Sequence, residues 1–114
     1  LPSEGIKKII LARDGGVCWH CGTTETTIHH RMNRRMGGDK TKAKVADRPS
    51  NLLTMCPEFN SLMESDLDAL RLAKDKGWKL RMGEMSTHTP VWRFDGTWWI
   101  LTDKGKKFQR EDHE

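Results

Sequence analysis

Thr26-Thr27-Ile28-His29-His30-Arg31 and, further along, Ser50-Asn51-Leu52-Leu53-Thr54-Met55-Cys56-Pro57 decide the fold of this chain. The first is a β-branched run ending in two histidines, which suits a strand. The second holds a short apolar run, Asn51 to Met55, that reads as another strand. Residues 31–50 between them carry Gly37-Gly38 and many charges, show neither helical nor strand periodicity, and read as a long loop. A loop of that length inside a compact domain is uncommon and usually functional. Beyond the second strand, Leu62, Met63, Leu67, Leu70 and Ala73 recur at three- and four-residue steps. That spacing predicts one helix from Pro57 to a stop at Gly77.

Upstream, Ser3-Glu4 opens an amphipathic stretch with Ile6, Ile9 and Ile10 on one face, a short helix that stops at Gly15-Gly16. Val17-Cys18-Trp19-His20-Cys21-Gly22 then forms a knuckle-shaped turn. Downstream, Val91–Phe94 and Thr97–Leu101 flank Asp95-Gly96, a favoured hairpin turn. From Asp103 onward the chain is polar and is expected to fray. The expected class is α+β: a two-stranded antiparallel hairpin with a long loop plus a helix, an N-terminal helix and a C-terminal β-hairpin. The 114 residues form a single domain, with a core at 12–76 and a hairpin extension at 78–102.

With 35% hydrophobic and 32% charged residues and a mean hydropathy of −0.75, the chain has a thin core under a wet surface. Its longest aliphatic run, Ile9-Ile10-Leu11-Ala12, cannot span a bilayer, and no stretch has the order of a secretory signal. The expectation is a cytoplasmic protein with no membrane partner. Three cysteines cannot complete a disulfide set and read as metal ligands or core thiols. Net charge is +4, but between Arg31 and Arg48 seven cations face only Asp39 and Asp47, so that segment alone carries +5. The plainest reading is a solvated loop. Its start beside two histidines makes phosphate contact by Arg31, Arg34, Arg35, Lys40, Lys42 and Lys44 the better one.

Asn60 and Glu64 are four residues apart on the expected helix, so their side chains share a face that His29 or His30 can meet. Imidazole, amide oxygen and carboxylate suit a hard or borderline divalent cation that keeps several waters. A metal, an imidazole base and nearby cations are what phosphodiester hydrolysis needs. The aromatic residues Trp92, Trp98 and Trp99 read as hairpin packing rather than as a base-stacking platform.

Cys18-Trp19-His20-Cys21, Ile28-His29-His30-Arg31, Arg34-Arg35-Met36-Gly37-Gly38 and Ser50-Asn51-Leu52-Leu53-Thr54-Met55-Cys56 together resemble the HNH endonucleases, most of all their phage-encoded subgroup, over residues 12–66. The resemblance implies the ββα-metal fold. It implies His30 as the general base, His29 as the first metal ligand, Asn51 as a brace for the long loop, and Asn60 as a ligand where the family usually has a histidine. Glu64 is a further candidate ligand, and Arg31 joins His30 and Asn51 as a catalytic candidate that holds the phosphate. The implied cofactor is one divalent cation, magnesium or manganese first, with nickel or zinc as alternatives. The implied partner is double-stranded DNA, nicked one strand at a time. Phage terminase subunits are a further partner, in genome packaging within a host's cytoplasm.

Many members of the family also hold a structural zinc in two Cys-x-x-Cys pairs. Cys18, Cys21 and Cys56 are the corresponding ligands here, but Phe59 stands in place of the fourth cysteine, and a tetrahedral zinc needs four ligands. His20 is expected to point away and Phe59 to fill the vacated space as core, so the expectation leans against a retained zinc. The rival to an enzyme is a catalytically silent nucleic-acid-binding module that keeps the fold; Asn60 and the incomplete cysteine set favour it.

Overall fold

The strands β1 (Thr27–His30) and β2 (Leu52–Met55) pair antiparallel in the computed structural model, with Thr27 opposite Met55 and His30 opposite Leu52. The residues it describes are 2–32 and 46–110. Every residue of β2 is buried, which is why its sequence is a nearly unbroken apolar run rather than an alternation. Its one polar side chain, Thr54, gives its hydroxyl proton to Val17 O at 2.5 Å, and Asp14 Oδ2 accepts from Thr54 N at 3.1 Å. A single 3-10 turn, Pro49–Asn51, leads into β2.

Helix α1 (Glu4–Asp14) starts where Ser3 Oγ accepts from Ile6 N, and ends at Gly15, whose φ of 71° is the left-handed conformation glycine adopts without strain. Its last turn carries a buried ion pair. Arg13 and Asp14 meet through two hydrogen bonds, of 2.6 and 3.0 Å, and the same guanidinium donates to Pro49 O and Leu52 O. This clamps the end of α1 onto the entry to β2.

A single helix was expected from Pro57 to Gly77, and the chain instead forms two. Helix α2 (Pro57–Ser65) ends at Asp66, whose backbone is extended, and α3 (Leu67–Asp75) begins there because the Asp66 carboxylate accepts from Ala69 N at 3.2 Å. The apolar spacing runs straight through the break, so periodicity hides it, whereas the cap residue marks it. After α3, Gly77 takes a φ of 80° and packs so tightly that any side chain would collide with Pro90 O. The two strands β3 (Val91–Trp92) and β4 (Trp98–Leu101) pair as expected, although the turn takes up residues 93–97.

The expected frayed tail and two-stranded hairpin are corrected by a third strand, β5 (Lys107–Arg110), which pairs with β4 to complete a meander. Cations from this sheet cap α1. Lys107 Nζ donates to Arg13 O and Arg93 Nη2 to Asp14 O, both at 2.8 Å, meeting the negative end of the helix. The core is Trp19, Leu53, Met55, Phe59, Met63, Ala73, Trp78, Val91 and Leu101, with Trp92 and Trp99 packed against it. No helix among the described residues is long and apolar enough to cross a membrane.

Arg31 holds these parts together, and here the expectation of phosphate contact and catalysis is overturned. Its side chain is fully buried. Its guanidinium donates to Gly77 O, Ser50 O, Ser86 O and Thr89 O at 2.8–2.9 Å. Those carbonyls lie on the entry to β2, the end of α3 and the strap before β3. Arginine suits this position because its planar fork has enough donors for all four acceptors, while lysine has only three. Burial pulls its pKa down, to about 9, which leaves it charged at neutral pH. Arg31→Met should cost about 3–5 kcal/mol of stability in urea unfolding, because it strips a buried network of its cation. Unchanged stability with weakened DNA binding would return Arg31 to the phosphate.

Candidate functional site

Strand alternation sends the two adjacent histidines to opposite faces of β1. His29 turns inward. Its Nε2 lies 2.6 Å from Trp78 O and its Nδ1 lies 3.0 Å from Asn60 Oδ1. Asn60 sits in the first turn of α2, so residues 31 apart in the chain, with all of β2 between them, meet through their side chains. Burial drives the His29 pKa down to about 4, with the nearby Lys79 pushing the same way and its hydrogen bonds opposing. The ring is therefore neutral at pH 7 and has one N–H. A backbone carbonyl can only accept, so that proton belongs on Nε2, and Nδ1 presents a lone pair to Asn60. Two arrangements satisfy this contact: the amide turned over so that its Nδ2 donates, or a cation shared by Nδ1 and Oδ1. A divalent ion with ligand distances near 2.1 Å puts neighbouring ligand atoms about 3 Å apart, so the separation of the pair matches that of two ligands of one cation.

His30 turns the other way. Its Nε2 lies 2.8 Å from Asp47 Oδ1, and with Lys7, Leu11, Thr26 and Ile28 it lines a cavity of about 440 Å³ between α1 and β1. A carboxylate can only accept, so His30 Nε2 carries a proton in this contact. The charge pattern showed Asp47 only as one of two anions in a basic run. Its place beside the second histidine is a tertiary contact that no local motif marks.

Asn51 ties together Met32 and Ala46, the described residues on either side of 33–45. Its Oδ1 accepts from Met32 N at 2.8 Å, and its Nδ2 donates to Ala46 O at 2.7 Å and Met32 O at 3.2 Å. Arg34, Arg35, Lys40, Lys42 and Lys44 lie outside the described residues. The Glu64 carboxylate is two-thirds exposed and pairs with Lys79 Nζ at 3.9 Å. Trp92 and Trp99 pack on the core, with Lys76 over Trp92 and Lys107 over Trp99.

A second cluster forms at the knuckle. Cys18, His20, Cys21 and Cys56 bring one ligand atom each to within 4.8 Å of one another, and together they could hold a metal ion. The expectation that His20 points away is overturned, since its ring turns into the cysteine cluster. Phe59 does fill core space, but it does so by stacking on that ring, with centroids 4.1 Å apart and planes 13° from parallel. Burial pushes the Cys56 thiol up, to about 11, and the His20 imidazole down. A cation among them would reverse the pull on the thiol by stabilising the thiolate.

The neutral, buried state of His29 has a consequence for stability. Its folded pKa lies below the unfolded value, so its contribution is intact above pH 6.5. It is lost as pH falls from 6.5 towards 4, where the unfolded chain takes up a proton that the folded one refuses. In magnesium-free buffer, the stability gap between the unmutated protein and His29→Gln should shrink by about 3 kcal/mol between pH 7 and pH 4. A gap that does not change with pH would mean that the folded ring takes up its proton as readily as the unfolded one. No protein-family model, curated protein or solved structure matches this chain.

Proposed function

We propose that this chain is a metal-dependent endonuclease that hydrolyses DNA phosphodiester bonds, on the ββα-metal arrangement that its sequence resembles. One observation carries this reading: a strand-borne imidazole nitrogen and a helix-borne amide oxygen meet at 3.0 Å, and the next residue of the strand carries a second imidazole, on the other face, paired with a carboxylate. His29 and Asn60 would hold the cation, magnesium or manganese by the hardness of the amide oxygen. When bound, the ion supplies positive charge that stabilises the phosphate and the leaving oxygen. Asn60 is a neutral ligand in place of an imidazole.

The other parts act around this pair. His30, held by Asp47, takes a proton from the attacking water, and Asp47 then stabilises the imidazolium. Asn51 sets the ends of the basic loop beside these groups, so that its cations can neutralise the DNA backbone and binding falls steeply with salt. One site cuts one strand per engagement. A place beside a phage terminase in genome packaging is the setting the resemblance suggests.

The rival, a nucleic-acid-binding module without turnover, draws on a specific feature: both nitrogens of the buried His29 already face protein oxygens, so the residue also works as a structural tie. Supercoiled plasmid separates the two. The nuclease converts it to open circle before any linear form appears, only with magnesium or manganese. His30→Ala lowers the rate by about 10²–10⁴, and Asp47→Asn lowers it by less. Plasmid binding with no nicking in magnesium, manganese or zinc would establish the rival.

A further inference from the structure

We propose that Cys18, His20, Cys21 and Cys56 bind one structural zinc ion, with His20 Nδ1 as the fourth ligand in place of the residue at 59. The argument needs no nuclease activity and stands whether or not the chain cuts DNA. Four observations carry it.

The first is proximity. Three thiol sulfurs and one imidazole nitrogen, all from free side chains, lie within 4.8 Å of one another. A tetrahedral zinc with Zn–S near 2.3 Å has S···S edges of about 3.8 Å, so closing around the ion needs shifts of about 1 Å or less. The second is an orphan. His20 Nδ1 is buried and has no hydrogen-bond partner, an uncompensated cost unless something else meets its lone pair.

The third is how the sulfurs are surrounded. Cys18 Sγ accepts from His20 N at 3.3 Å and Cys56 N at 3.1 Å, and Cys56 Sγ accepts from Phe59 N at 3.4 Å at the start of α2. Backbone N–H groups aimed at sulfur stabilise a thiolate, and such outer contacts orient metal ligands. The fourth is the stack. Phe59 occupies the position expected of a fourth cysteine, and its ring lies flat on His20, while Trp78 closes on both rings edge-on. Phe59 is thus a positioning residue, whose ring holds the His20 imidazole against the sulfurs.

Zinc suits a cluster of three sulfurs and one nitrogen far better than magnesium or calcium does. All four positions would be filled by protein, which marks the centre as structural. It would pin the knuckle before β1 to the first turn of α2, the turn that carries Asn60.

The test uses the full chain purified under reducing conditions. Elemental analysis should find one zinc per chain, and the three cysteines should resist a thiol reagent until a strong chelator is added. Cobalt substitution should give the intense visible bands of a tetrahedral thiolate site. His20→Cys should keep the metal and move those bands to lower energy, as the nitrogen is exchanged for a fourth sulfur. His20→Ala should weaken zinc binding by at least about 100-fold, and adding Phe59→Cys to it should restore tight binding. That rescue reports on the ligand set even if His20→Ala alone folds poorly. Three freely reactive thiols with no bound metal would overturn the proposal. So would His20→Ala and His20→Cys variants whose zinc affinity and cobalt bands match the unmutated protein.

Discussion

The rest of the structure depends on the alternation of side chains along four residues of β1. Because neighbours on a strand leave opposite faces, His29 goes to the interior and His30 to the α1 side. His29 then fixes where α2 lies, since its ring spans the gap from Asn60 in the first turn of that helix to the carbonyl of Trp78 beyond α3. A shift of one residue in the register of β1 against β2 would exchange the two imidazoles and break both ties at once. The buried β2 strand and the Arg13–Asp14 clamp are what hold that register.

Around this junction the structure divides its charges by task. The guanidiniums of Arg13 and Arg31 are spent inside, on backbone carbonyls at the ends of helices and at the crossing between the two halves of the fold. Each is neutralised by a carboxylate or shared among several carbonyl oxygens, as burial of a charge requires. A net excess of cations on the sequence therefore overstates what is available to a polyanion.

Much of the framework was legible because it is written locally. β-Branched and apolar runs mark β1 and β2, a serine cap and two glycines bound α1, and Asp95-Gly96 marks the turn between β3 and β4. What was not legible is tertiary. The apolar spacing over Leu62 to Ala73 continues through Asp66, so one helix and two have the same periodicity, and only the capping carboxylate distinguishes them. β5 has a weak pattern, Lys-Phe-Gln-Arg, and is a strand because β4 offers it an edge. Of the site residues, strand and helix spacing brought the Asn60 face to His29 or His30, and only the resemblance singled out His29. Asp47, the burial of Arg31 and the turn of Glu64 towards Lys79 depend on contacts made far along the chain. His20 is the sharpest case: within Cys-Trp-His-Cys either ring could face the sulfurs, and the presence of Phe59 across the cluster decides it.

The contact between His29 Nδ1 and Asn60 Oδ1 is therefore where function is decided, since the same geometry serves a cation or a turned-over amide. An anomalous difference map from crystals soaked in manganese examines that contact directly. A nuclease centre requires a peak bonded to both atoms, with His29 Nε2 still held by Trp78 O. A map without that peak at saturating manganese, with Asn60 Nδ2 donating to His29 Nδ1, would make the pair a structural tie and contradict the catalytic reading.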